Sequence, residues 1–183
     1  MKKKLFIIFS ILTLIIGICS CKKKEVQKTY SGSVMVYTTF DANTINTIKK
    51  DFENTYKGLV LDYFYGDIDS ISEKLIMSYE LEVPEADIIL IDKNKEFSTF
   101  KNSSFLKSYI SKEEKYVQDE YKNENDGYYV AVLDSNNNKY YVAVVSNGLN
   151  VENGELFIDY LLSKKTQEML VNNGLKTVRN DIK

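Results

Sequence analysis

An alternation of strand-like and helix-like segments over residues 34–91 constrains the fold more than any other feature of the sequence. Apolar strand candidates at residues 34–37, 59–65 and 86–91 are separated by two stretches in which apolar residues recur every three or four positions. That spacing gathers the apolar side chains of each stretch on one face of a helix. Since strands joined by helices pair in parallel through right-handed crossovers, the pattern predicts a doubly wound α/β fold with a mostly parallel sheet.

Local signals mark the ends of these elements. Gly58 follows the first helical stretch, where a C-cap residue takes a positive φ. Ser70 and Glu73 have capping-box spacing, which predicts that the second helix begins at Ser70. The third strand, residues 86–91, is an almost unbroken apolar run, as expected of a parallel strand covered on both faces.

This architecture also predicts where a ligand binds. In open parallel sheets, ligands lie at the carboxyl ends of the strands, near helix N-termini whose free N–H groups favour anions. Thr38 and Thr39 are well placed to donate hydrogen bonds to such an anion. The aspartates at these strand ends can be ligands or helix N-caps, and the sequence leaves both roles open. The predicted ligand-binding residues are Thr38, Thr39, Asp41, Gly66, Asp67, Ser70 and Asp92.

The first residues are typical of an export signal. Three lysines precede an apolar run that is short for a membrane span of ~20 residues. The run ends in Ile18-Cys19-Ser20-Cys21, which resembles a bacterial lipobox with Cys21 as the lipidated residue. We therefore expect a signal peptide at residues 1–20, a lipid-anchored tether at 21–33 and one α/β domain at 34–183. An uncleaved N-terminal anchor helix is the alternative, and either form is exported and held at a bacterial membrane, on the periplasmic or cell-surface side.

Composition excludes several kinds of chemistry. Cleavage before Cys21 removes Cys19, and lipidation uses Cys21, so the mature chain has no free thiol. The sequence contains no histidine, the commonest general base and transition-metal ligand. No motif for a serine–lysine or carboxylate-pair hydrolase is present, and we therefore expect no enzymatic activity. The formal net charge of −2 argues against a nucleic-acid partner.

The second half of the chain predicts a hairpin followed by helices. Strand-like runs at residues 128–133 and 139–145 flank a polar loop at 134–138. Ser163 is a candidate N-cap for the final helix and Gly174 its C-cap. Neighbouring strand residues point to opposite faces, so at most one tyrosine of the pairs 128–129 and 140–141 faces a given site. These rings most simply pack the hairpin, but Tyr129 together with Asp41 and Asp67 forms a candidate metal-ligand set, because Fe(III) prefers phenolate and carboxylate oxygens.

Two segments together carry a family resemblance. The first contains Val36-Tyr37-Thr38-Thr39, Tyr65-Gly66-Asp67 and Pro84-Glu85-Ala86-Asp87-Ile88, and the second contains Phe157-Ile158-Asp159-Tyr160-Leu161-Leu162-Ser163 followed by Gln167-Glu168, Gly174 and Val178-Arg179. In this order they resemble bacterial extracellular solute-binding proteins of the ferric-iron-binding type, which have a type II periplasmic-binding-protein-like fold. The resemblance implies a lipid-anchored substrate-binding component of an ABC importer, with a permease as partner, Fe(III) or a small anion as cargo, and no cofactor of its own.

The chain also departs from that family. Family members close two lobes on the ligand, whereas this chain is roughly half the expected length and has only the loop at 134–138 where most of the second lobe is inserted. Phe40 and Asp41 occupy the region in which iron-binding members often place a histidine. The resemblance therefore implies a single lobe with a β-hairpin and C-terminal helices, and no intact ferric site. The alternative function is a one-lobed, non-transport lipoprotein that serves as an interaction, sensor or accessory module.

Overall fold

The computed structural model describes residues 29–92, 94–122, 127–135 and 138–182. The predicted signal peptide, the lipidation site at Cys21 and most of the predicted tether lie outside these residues. Within the described ranges, no helix combines the length and apolar character needed to cross a membrane.

Six strands, five α-helices and two short 3₁₀ helices make up the described part of the chain. The strands are β1 (Gly32–Thr38), β2 (Leu59–Tyr65), β3 (Ile88–Ile91), β4 (Leu106–Lys107), β5 (Val130–Ser135) and β6 (Asn138–Val145). The α-helices are α1 (Ala42–Thr55), α2 (Ile68–Glu80), α3 (Asn94–Asn102), α4 (Val151–Leu162) and α5 (Lys164–Asn172), and the 3₁₀ helices are Glu114–Tyr116 and Asp119–Tyr121.

All six strands belong to one sheet, in which β1 lies between β2 and β3. Both of these neighbours run parallel to β1, so the predicted parallel core of three strands is confirmed. On the other side of β3, β6 pairs antiparallel with β3. The second edge of β6 is shared by β4 and β5, both antiparallel to it. The sheet is therefore a parallel half joined to a hairpin half.

Helices cover both faces of this sheet, which confirms the doubly wound prediction. Val34 and Val36 of β1 face a core that contains the buried residues of α1 and α4. Tyr37 follows Val36 and therefore points to the opposite face, where it packs in a second core built from α2 and α3. In the first core, the ring of Phe52 lies 5.2 Å from that of Phe157, in an edge-to-face contact typical of buried aromatic pairs.

Two boundaries differ from the sequence prediction. Strand β1 begins at Gly32, and Tyr30 packs edge-on against Tyr56 with ring centroids 5.0 Å apart, so the last residues of the predicted tether are part of the folded unit. Helix α2 has Asp67 as its N-cap, not Ser70, because the Asp67 carboxylate accepts the Ser70 backbone N–H at 2.8 Å. Both residue types cap helices well, and the end of β2 at Tyr65 favours the earlier start.

The hairpin and the C-terminal helices follow the predicted order. Strand β5 continues to Ser135 and β6 begins at Asn138, so strand occupies most of the stretch predicted as a loop. The Ser163 hydroxyl accepts the Thr166 N–H at 3.3 Å, and Gly174 after α5 has a φ of +86°, as the cap signals predicted. The C-terminal tail is fixed by Arg179, which is buried and donates to the Leu162 carbonyl at 2.7 Å.

A buried carboxylate joins the parallel core to the start of α4. Asp87 is 1% exposed and accepts hydrogen bonds from the backbone N–H groups of Met35 at 2.9 Å and Asn150 at 2.6 Å. Gly148 packs against it so closely that a Cβ atom there would lie 2.8 Å from the Asp87 carboxylate. Asp87 thus connects β1, β3 and the loop that enters α4.

We predict that Asp87→Ala lowers the free energy of unfolding by about 3 kcal/mol, because two buried N–H groups lose their acceptor. Urea denaturation at neutral pH measures this change. The matched control is Asp62→Ala on β2, whose side chain is 59% exposed and which should change stability by less than about 0.5 kcal/mol. Equal urea midpoints for Asp87→Ala and the unsubstituted protein would contradict the proposed connection.

Candidate functional site

The three parallel strands end at the same level. Thr38 of β1 is in register with Tyr65 of β2 and with Leu90 of β3. The backbone continues this alignment, since the Thr39 N–H donates to the Leu90 carbonyl at 3.3 Å and the Gly66 N–H donates to the Thr38 carbonyl at 3.2 Å. We call the resulting surface, formed by residues 38–41, 65–70 and 92, the carboxyl edge.

The two adjacent threonines have different environments. Thr38 is fully buried, and its hydroxyl oxygen accepts the Phe40 N–H at 3.0 Å, so it is turned away from any ligand at the surface. Thr39 is partly exposed and bonded to Asp92: its hydroxyl oxygen accepts the Asp92 N–H at 3.2 Å, and its hydroxyl lies 3.3 Å from an Asp92 carboxylate oxygen. Of the two threonines predicted to bind a ligand, only Thr39 is therefore positioned to do so.

Asp41 and Asp67 begin the two helices that follow the carboxyl edge. The Asp41 carboxylate accepts the Thr44 hydroxyl at 2.6 Å and the N–H groups of Asn43 at 2.9 Å and Thr44 at 3.1 Å. These bonds, that of the Thr44 hydroxyl first, hold the pKa of Asp41 below its ordinary value. The Ser70 N–H likewise lowers the pKa of Asp67. Three N–H groups of the two first turns, those of Asn43, Thr44 and Ser70, are thus already bonded to carboxylates, and both helix starts carry negative charge.

Tyr140 belongs to this site, although the sequence analysis did not select it. Its ring stacks on that of Phe40 with centroids 4.0 Å apart and planes 12° apart. Burial raises the pKa of Tyr140, and the charges of Asp92, Asp41 and Tyr65 raise it further. Only the pairing of Ile91 with Tyr141, which puts Tyr140 one residue beyond the end of β3, reveals this position.

Tyr129, the predicted metal ligand, lies elsewhere. Its ring stacks on Phe97 of α3 at 4.9 Å and meets the ring of Tyr141 edge-on at 5.9 Å. Phe97 belongs to the core between the sheet and helices α2 and α3. The structure therefore places Tyr129 in aromatic packing with Phe97 and Tyr141 rather than in a shared set with Asp41 and Asp67.

The site is an open surface lined by oxygen donors. Within the described ranges, carboxylates do not gather in threes as a metal site made of acidic residues alone would require. A cation at the carboxyl edge would therefore need tyrosine oxygens beside Asp92 and Asp41. The β5–β6 hairpin continues past the end of β3 through the pairs Leu133–Tyr140, Asp134–Lys139 and Ser135–Asn138, and it forms one wall of this surface.

Solved structures of similar fold are bacterial binding proteins. Ferric iron-binding protein A from Mannheimia haemolytica, in an open conformation, is 12% identical with a TM-score of 0.71, and the match covers 84% of this chain and 87% of that one. The substrate-binding protein of an ABC transporter from Agrobacterium tumefaciens is 8% identical with a TM-score of 0.75, covering 86% and 82%. The periplasmic binding protein AfuA from Actinobacillus pleuropneumoniae, with fructose-6-phosphate bound, is 11% identical with a TM-score of 0.72, covering 84% and 87%.

The chain has the fold of a ferric-iron-binding-type periplasmic binding protein. No protein-family model matches the sequence, and neither does any curated protein. The predicted fold class is confirmed. The described residues form a single lobe that has a mixed sheet with a parallel core, a β-hairpin and C-terminal helices.

Substitutions of Asp41 separate the capping role of its side-chain oxygen from the effect of its charge. We predict that Asp41→Ala lowers stability by about 1 kcal/mol, whereas Asp41→Asn changes it by less than about 0.5 kcal/mol, since asparagine caps equally well without the charge. Because the pKa of Asp41 is lowered in the folded state, its stabilisation is present above the ordinary pKa of ~3.9 and lost as the pH falls through the folded-state pKa.

Urea denaturation at pH 7 and at about pH 2 checks both statements, and the deficit of Asp41→Ala should shrink at the lower pH. An equal loss of stability in the alanine and asparagine variants would contradict the capping role.

Proposed function

We propose that the protein is the exported, lipid-anchored substrate-binding component of an ABC-type importer, and that its cargo is a hard cation, foremost Fe(III). The observation that carries the cation assignment is the chemistry of the carboxyl edge. Asp41 and Asp92 supply carboxylate oxygens there, and Tyr140 stacks on Phe40 of the same surface. The carboxylate caps also occupy N–H groups at both helix starts that would otherwise attract an anion. The binding role and the import role are supported by the similar fold of substrate-binding proteins from ABC transporters.

The fold alone does not choose between a cation and an anion, the two cargoes that the sequence resemblance implied. One similar structure is a ferric-iron-binding protein and another holds a sugar phosphate. The choice rests on Asp41 and Asp67, which place negative charge where an anion would have to sit. A phosphate at either helix start would displace a bonded carboxylate and meet its repulsion, whereas a cation meets neither cost.

Fe(III) suits this donor set because it is a hard ion that prefers phenolate and carboxylate oxygens. The pKa of the Tyr140 phenol is raised, so cation binding at that oxygen requires release of its proton and weakens as the pH falls. Since the lobe leaves the site open on one side, a bound ion keeps water ligands there until the permease or a second copy of the chain covers it.

Tyr140→Phe tests the site directly. We titrate the protein with Fe(III) supplied as its nitrilotriacetate complex and follow the visible phenolate-to-iron charge-transfer band together with calorimetric heat. We expect the substitution to abolish the band and to weaken binding by at least about 10-fold, because the phenol oxygen is lost while the ring can still stack on Phe40.

The matched control is Tyr63→Phe on β2, which removes a hydroxyl that donates to the Asn46 side chain at 3.1 Å. This variant should leave the band unchanged. A band of full intensity in Tyr140→Phe would overturn the assignment. Absence of heat and colour in the unsubstituted protein would overturn Fe(III) as cargo.

The anchor has its own test. We predict that Cys21→Ser abolishes incorporation of labelled palmitate and moves the protein out of the membrane fraction, because Cys21 is the lipidated residue of the lipobox. Cys19→Ser is the control and should retain both. Membrane retention of Cys21→Ser without label would instead support an uncleaved N-terminal anchor.

The single open lobe favours one other candidate, a non-transport lipoprotein that acts as an interaction, sensor or accessory module. In the described residues one sheet carries the site and only the hairpin flanks it, whereas a transported ligand is normally enclosed. Failure to bind both Fe(III) and small anions such as phosphate would support this candidate over the importer.

A further inference from the structure

A second group of oxygen donors lies on and beside the β5–β6 hairpin. We call it the hairpin cluster, and it consists of Asp134, Tyr121, Tyr129 and Tyr141. Asp134 is 8% exposed, and one of its carboxylate oxygens, Oδ2, accepts the Tyr121 hydroxyl at 3.0 Å. The other oxygen, Oδ1, is buried and has no hydrogen-bond partner among the described residues.

Strand register accounts for this grouping. Asp134 pairs with Lys139, which puts it on the same face of the hairpin as Tyr141, two residues further along β6. Tyr141 in turn meets the ring of Tyr129 edge-on at 5.9 Å, and stacking on Phe97 at 4.9 Å fixes that ring. The alternation that points Tyr140 to the carboxyl edge therefore points Tyr141 to Asp134.

Electrostatics indicates that these oxygens influence one another. Burial raises the pKa of Tyr121 to about 12, and the hydrogen bond to Asp134 and the charges of Asp134, Glu120 and Tyr141 add to the effect. Burial also raises the pKa of Tyr141, followed by the effects of Tyr129 and Asp134. The Tyr121 hydroxyl thus lies within hydrogen-bond distance of the buried carboxylate, and Tyr141 lies on the same face of the hairpin.

A buried carboxylate oxygen without a partner is destabilising, because its lost hydration is not replaced. The Lys139 ammonium does not supply this bond. The Lys139 ammonium lies over the Tyr121 ring, 4.5 Å from its centroid, and approaches Glu120 at 3.9 Å. The Lys139 ammonium therefore lies beside the cluster while Oδ1 of Asp134 stays unbonded. A metal ion is smaller than a lysine side chain and could reach that oxygen.

We propose that the hairpin cluster is a second cation site, which binds a hard multivalent ion through Oδ1 of Asp134 and the phenol oxygens of Tyr121 and Tyr141, with Tyr129 beside them. Carboxylate and phenol oxygens are the donors that such ions prefer, whereas soft metals favour sulfur ligands. The site uses none of the carboxyl-edge residues, so it can be tested independently of the proposed cargo site.

Terbium(III) is the probe, because it is a hard trivalent ion whose luminescence is sensitised by nearby excited tyrosine, and the chain has no tryptophan to add a background. The full chain, purified in detergent, is titrated with Tb(III) under tyrosine excitation. We expect saturable luminescence that Asp134→Asn weakens by at least about 10-fold in affinity. Tyr141→Phe, which keeps the ring and removes only the ligand oxygen, should weaken it in the same direction.

Two control variants identify the site. Asp62→Asn removes an exposed carboxylate on β2 and should leave the titration unchanged. Tyr140→Phe removes the carboxyl-edge phenol and should leave the Asp134-dependent component intact while abolishing the Fe(III) band. Urea denaturation confirms that each variant is folded, and Asp134→Asn can still accept the Tyr121 hydroxyl through its amide oxygen.

A titration curve for folded Asp134→Asn that coincides with that of the unsubstituted protein would overturn the hairpin site, as would a lack of any sensitised luminescence. If Tb(III) binding depends on Asp134 but no Fe(III) band forms, the hairpin site stands and the proposed cargo site fails. If the Fe(III) band forms but Tb(III) binding does not depend on Asp134, the hairpin site is overturned and the cargo site stands.

Discussion

The parallel pairing of β1 with strands on both its edges is the constraint on which the rest of the structure depends. It fixes Thr38 level with Tyr65 and Leu90, so three strand ends and the loops after them form one surface. It also buries both faces of β1, since Val36 and Tyr37 point in opposite directions and neither is exposed. Helices on both sides, and hence their N-termini at the same edge, follow from that burial.

Capping competes with ligand binding at this surface. A carboxylate has about four lone-pair sites, and Asp41 already uses three hydrogen bonds to begin α1. Asp92 differs from Asp41, because among the described residues its carboxylate has one hydrogen-bond partner, the Thr39 hydroxyl at 3.3 Å. The Asp41 carboxylate is therefore committed mainly to its helix, whereas that of Asp92 keeps more of its acceptor capacity.

The sequence predicted what depends on local pattern and missed what depends on distant register. Periodicity and cap chemistry identified the parallel core, both C-terminal helices and the caps at Ser163 and Gly174. The prediction that α2 begins at Ser70 was wrong, because Asp67 stands three positions earlier, has equivalent capping chemistry and is the N-cap in the structure. The inward turn of Thr38 and the role of Tyr140 could not be predicted, because both follow from which strands lie beside β3.

The hairpin decides what kind of binding this lobe can perform. Adjacent tyrosines on β6 face opposite sides of a pleated strand, so one short element presents Tyr140 to the carboxyl edge and Tyr141 to Asp134. Strands paired along their length do not rotate about a hinge as a second lobe would, and the hairpin cannot close over a ligand. For the proposed cation cargo, retention would then come from bond strength between the ion and its oxygens rather than from enclosure.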